Sequence, residues 1–83
     1  MVITDAKKLV GKVCAIEWLS RSGEEMHAIS KIHDATYVPL YGGFLITDTE
    51  DVRLDRVIEI NIVSEDGSLV PIYATQSQEP IAA

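Results

Sequence analysis

The stretch "VRLDRV", Val52 to Val57, places Arg53 and Arg56 three positions apart with Asp55 between them. A guanidinium offers a rigid fork of donors that grips a carboxylate or phosphate with two bonds and also stacks on aromatic rings. A second run upstream, "TYVPLYGGFLITD", gathers Tyr37, Tyr41 and Phe44 around Pro39 and the pair Gly42–Gly43. A Gly-Gly corner here folds the aromatic end back toward "VRLDRV", so Tyr37, Tyr41, Arg53 and Arg56 are expected close in space. Flat rings beside positive charge suit a nucleotide or phosphate-bearing ligand, with Tyr37, Tyr41, Gly42, Gly43, Arg53 and Arg56 as its binding residues. The same residues support a structural reading, in which Asp55 caps a turn and pairs with an arginine to fix where the last strands begin. Both readings stand on the sequence alone.

Other residue types capable of chemistry point to none. Cys14 lies between Val13 and Ala15 in an apolar run, where a free cysteine behaves as a small core residue and lacks the base a nucleophile needs. His27 and His33 are six positions apart; on a regular strand they share a face but stand about 20 Å apart, too far for one metal ion. The acidic groups "DTED" and "SEDG" lack the spaced carboxylates of a calcium loop and read as solvated turns. With no catalytic triad, phosphate loop or zinc-protease pattern, the chain is expected to be no enzyme and to need neither cofactor nor metal.

The elements that position these residues follow from periodicity. Thr4 or Asp5 can cap a short helix near residues 4–10, with Gly11 as its left-handed stop. From Lys12, β-branched and aromatic residues alternate, with Cys14, Ile16 and Trp18 on one face. Strands are expected near residues 12–19, 24–38, 44–48, 52–54, 58–63 and 69–73, and "DRV" as a single helical turn. Residues 24–35 fit helical spacing nearly as well; the hairpin-like "SRSG" and the strand formers Thr36, Tyr37 and Val38 favour a long bent strand. Six short strands and one helix predict a mainly β fold, a small SH3-like or Sm-like barrel over residues 1–73, with a disordered tail over 74–83. Ile58–Val63 is a hydrophobic strand that, at an edge, would pair copies into a homo-oligomer.

The 83 residues carry a formal net charge of −6, from seven basic and thirteen acidic side chains. Phosphate-backbone binding draws on Lys and Arg, so nonspecific nucleic-acid binding is excluded, whereas a basic protein partner suits the field. One cysteine precludes an intrachain disulfide, no apolar run reaches the ~18–20 residues of a membrane span, and the start has no signal-peptide pattern; the expected location is the cytoplasm.

The runs "VCAIEWLSRSGE", "YVPLYGGFLITD" and "VRLDRVIEI" resemble, over residues 12 to 63, the WYL domain, whose closing "RLDRI" element has its counterpart in "RLDRV", Arg53–Val57. The resemblance implies an Sm-like barrel that senses nucleic-acid or nucleotide ligands. In the aromatic strand Phe44 and Leu45 stand where that family has Tyr and Leu, and Gly43 replaces its tryptophan. The chain is also similar to Rho-binding antiterminators, small acidic barrels with a comparable closing segment, which implies an acidic protein-interaction module that binds a transcription factor. A non-catalytic, regulatory binding module is the expectation common to both.

Overall fold

The structure, a computed structural model, describes residues 1–74. Its elements are α1 (Ile3–Lys7), β1 (Val13–Leu19), β2 (Glu25–Val38), β3 (Gly42–Thr47), β4 (Asp51–Arg53), a 3-10 turn η1 (Leu54–Arg56), β5 (Val57–Val63) and β6 (Leu69–Ala74). All neighbouring strands are antiparallel, in one sheet of order β4-β3-β2-β1-β5-β6. The expected tail falls outside the described residues except for Ala74, which ends β6. No helix among the described residues is long and apolar enough to cross a membrane.

Helix α1 departs from its expected capping. Its N-cap is Val2, which has no side-chain bond; instead the N–H groups of Asp5 and Ala6 donate to the Val2 carbonyl, each at 3.1 Å. Thr4 and Asp5 lie inside the helix, too late in the chain to cap it. The helix also ends earlier than expected, at Lys7 with Lys8 as a right-handed C-cap, so Gly11 is not its stop. With φ of +89°, Gly11 closes the turn that follows, and its N–H donates to the Ile32 carbonyl at 2.7 Å. That bond starts β1 beside β2, while Ala6 and Leu9 enter the core.

Alternation dictates which face each strand buries. Cys14, Ile16 and Trp18 of β1 point inward. Residues 24–35 form no helix; they belong to the fourteen-residue β2. A register shift between Ile32 and Asp34 leaves His33 without a partner on β3. The extra residue moves the inward face from even to odd positions, so that both Ile32 and Ala35 are buried. At this point β2 leaves the half of the sheet containing β1 and enters the half containing β3.

The sheet is open, yet strongly curled. In the strand order, β4 and β5 are four positions apart, about 19 Å if the sheet were flat. In the chain they are joined by the three residues of η1, whose rise of about 2 Å per residue spans far less. Val52 of β4, Leu54 of η1 and Val57 and Ile60 of β5 share one core with Ile16, Ile32 and Leu45, which a flat sheet would not allow. Fully burying each such aliphatic side chain contributes about 1.5–3 kcal/mol. β5 lies between β1 and β6 and is hydrogen-bonded on both sides. The expectation of a free edge at Ile58–Val63 is therefore overturned, since its backbone groups are already used.

The β2–β3 connection is the turn Pro39–Leu40–Tyr41, closed by the Tyr41 N–H donating to the Val38 carbonyl at 3.0 Å. Leu40 has φ of +78° and is 98% exposed. The left-handed conformation costs a residue with a side chain about 1–2 kcal/mol, and Leu40 recovers none of it through internal packing.

Candidate functional site

Arginines from three places line one groove of about 680 Å³ beside the β1–β2 turn: Arg21 in that turn, Arg53 at the end of β4 and Arg56 in η1. Trp18, Phe44 and Tyr41 line it as well. The sequence contains three arginines and four lysines, and the groove takes every arginine and no lysine. Glu24, Glu50 and Asp51 also line it, so the formal charges around the groove balance.

Arg53 is held from three directions. Its Nε donates to Asp55 Oδ1 at 3.2 Å and its Nη2 to Asp55 Oδ2 at 2.9 Å, a two-bond fork. Nη2 also donates to the Tyr41 carbonyl at 3.1 Å. The guanidinium carbon stands 6.0 Å from the centroid of Phe44, its cross-strand partner, within cation–π range. Asp55 therefore pairs with an arginine as expected, but does not cap the turn: the N-cap of η1 is Arg53, without a side-chain bond. Arg56 is half-buried, and its Nη1 donates to the Ser20 carbonyl at 2.9 Å, tying η1 to the β1–β2 turn. Arg21 is exposed and makes no ion pair among the described residues.

Period-two geometry sorts the expected site residues. Thr36, Phe44 and Arg53 form one cross-strand row, while Ala35, Leu45 and Val52 form the next on the opposite face. Tyr37, paired with Gly43, follows Ala35 on the core-side face, and it is 62% exposed because it lies beyond the core's edge. Tyr41, Arg53 and Arg56 line the groove; Tyr37 and the two glycines do not. Gly43 has a packing role: a Cβ there would meet Leu54 Cδ1 at 2.5 Å and Cγ at 3.1 Å. Gly42, with φ of +96°, supplies backbone freedom at the start of β3. Arg21 is the groove residue that the sequence pattern did not single out; its signal was being the remaining arginine, set in the turn "SRSG".

The remaining titratable groups lie elsewhere. Cys14 is fully buried, and desolvation pushes its thiol above the ordinary value despite the opposing charge of Lys12. His33 pairs with Asp48 across the irregular part of β2, and this hydrogen bond holds the Asp48 carboxyl below its usual range. Hydrogen bonds from the backbone and hydroxyl of Ser68 do the same for Asp66 in the β5–β6 turn. No three His, Cys, Asp or Glu side chains converge as metal ligands among the described residues. The chain matches no family model, no curated protein and no solved structure.

Proposed function

We infer that this chain is a non-catalytic binding module, SH3-like or Sm-like in build, that acts in the cytoplasm and takes a nucleotide or other phosphate-bearing ligand in the arginine groove. The curl of the sheet and the 3-10 turn between β4 and β5 support the barrel reading. The observation that carries the ligand reading is the collection of every arginine of an acidic chain in one groove with Tyr41 and Phe44. Arg21 supplies a guanidinium without an ion pair among the described residues, Arg56 has donors to spare beyond its bond to Ser20, and Tyr41 offers a flat rim. Arg53 is the brace that holds Tyr41 in place. A WYL-like aromatic at position 43 has no room beside Leu54, so stacking in this chain falls to Tyr41 and Phe44.

One observation favours a second reading, an acidic module that binds a basic protein such as a transcription factor. Glu24, Glu50 and Asp51 share the groove, and the chain's net charge is −6. The single tryptophan, Trp18, lines the same groove, so its fluorescence reports occupancy. Inorganic triphosphate should change the Trp18 emission saturably, and Arg21→Ala should weaken that response about tenfold with unfolding unaffected, the loss expected for a charge-assisted bond. An unchanged emission with triphosphate, together with a response to a polyarginine peptide, would select the protein-binding reading.

A further inference from the structure

We propose that the tip of the β2–β3 hairpin, Tyr37 to Tyr41, is the surface through which two copies of this chain associate. Leu40 stands at the apex almost wholly exposed and in a strained left-handed backbone, where glycine or asparagine would sit without that strain. Tyr37 and Tyr41 flank it, each 62% exposed, and Val38 and Pro39 complete an apolar cap. The cap is also stiff. Pro39 fixes one torsion of the turn, the Tyr41 N–H closes it on Val38, and Arg53 clamps the Tyr41 carbonyl. Rigid, exposed tyrosine and leucine form a contact whose ordering cost has been met in advance.

Charge selects a second copy as the occupant. From Ala35 to Thr47 no residue is charged, in a chain of net charge −6. Two copies meeting here bring apolar surface together, the charges bonded to the cap, Arg53 and Asp55, neutralise each other as an ion pair, and a two-fold axis makes the contact self-complementary. A basic partner would gain more from the acidic surface elsewhere. Another exposed apolar area, around Ile29, Val13 and Leu69 on the outer face of β2, β1 and β6, is crossed by Glu17 and Glu59, which lie directly opposite each other on β1 and β5. Stacking two such faces would gather acidic groups. The sheet edges are guarded as well: β4 has three residues, and β6 carries Pro71 next to a register irregularity.

The size of the cap sets the strength. Its side chains expose on the order of 500 Å², against ~800 Å² per partner in stable complexes, so the association is weak. Sedimentation equilibrium from about 10 µM to about 1 mM tests it, read with concentration-dependent amide shifts. The wild type should rise from 9.1 kDa toward twice that mass, with shifts confined to residues 36–42. Leu40→Asp and Leu40→Gly, both tolerant of the left-handed backbone, should remain monomeric throughout and melt no lower than wild type. A wild type monomeric at about 1 mM overturns the proposal, as does a dimer that both variants preserve or whose shifts map to β6. Monomeric wild type that sediments with phosphatidylcholine vesicles, and loses this with Leu40→Asp, would also overturn it and assign the tip to a lipid surface.

Discussion

Replacing Gly43 by Ala tests how η1 is seated on the sheet. The added Cβ would lie 2.5 Å from Leu54 Cδ1 and 3.1 Å from Leu54 Cγ, well inside van der Waals contact. The end of an exposed leucine would swing aside cheaply, but Leu54 is buried in the core with Val52, Val57 and Ile60. Displacing it costs about 1–3 kcal/mol, the range for an overpacked core. Alanine also narrows the unfolded ensemble, which returns about 0.4–1 kcal/mol. The net expectation is a loss of about 0.5–2 kcal/mol, read as a lower urea midpoint at constant slope.

The mechanism makes a sharper claim than the magnitude. If the loss comes from the clash with Leu54, truncating that side chain removes it. Leu54→Ala alone should cost about 2–5 kcal/mol through its cavity, and in that background Gly43→Ala should be neutral or stabilising. The double-mutant coupling should therefore reach about 1 kcal/mol or more. Gly42 is the internal control. It has φ of +96°, and a Cβ added there would meet nothing within 4 Å, so Gly42→Ala should cost about 1–2 kcal/mol from the backbone alone. That cost should be unchanged by Leu54→Ala. Additivity of Gly43→Ala with Leu54→Ala, or equal coupling at both glycines, would refute the assigned packing.

Three further outcomes follow from the polar and buried groups. Arg53→Ala should lower stability by about 1–2 kcal/mol, since it removes the Asp55 fork and the bond to the Tyr41 carbonyl together; Asp55→Ala should cost less, measured by the same denaturation. Asp48 should titrate below the usual carboxylate value of about 3.9, so its stabilising contribution is complete above about pH 5 and is lost as pH falls through its folded pKa; carboxyl-carbon NMR shifts check this, and Asp48→Asn should remove that part of the acid limb. Cys14, buried and raised in pKa, should react with an aromatic disulfide reagent only as fast as the chain opens, so labelling should accelerate with urea.

Sequence patterning made the strands legible because alternation writes burial directly into residue type. Cys14, Ile16 and Trp18 were recoverable that way; the helix end was not, since it falls at Lys7 and Gly11 only closes the turn after it. The irregularity at His33 was not legible. An extra residue in β2 is defined by its pairing with β3, and the local sequence carries no mark of that. The same limit hid which strands lie at the edges: Ile58–Val63 is hydrophobic enough for either place, and only the pairing with both β1 and β6 puts it inside the sheet. At the site, the fold-back expected at Gly42–Gly43 brought Tyr41 and Arg53 together correctly. It failed for Tyr37, because neighbouring rows alternate between faces, and it missed Arg21, which reaches the groove from a distant turn.

The structural and ligand readings of the arginines, which the sequence left as alternatives, divide among the three residues once their bonds are known. Arg53 uses its donors on Asp55 and on the Tyr41 carbonyl, so an arriving anion would have to displace a carboxylate already seated with good geometry. Arg56 spends one donor on the Ser20 carbonyl, fixing the turn that carries Arg21. Arg21 is exposed and has no such bond among the described residues, so binding must restrict its rotamers. The two anchored arginines hold the aromatic rim and the turn in place, and under the proposed ligand reading the third is the one left to meet the ligand. On this division, removing Arg53 lowers stability first and affinity second, removing Arg21 does the reverse, and Arg56 lies between them.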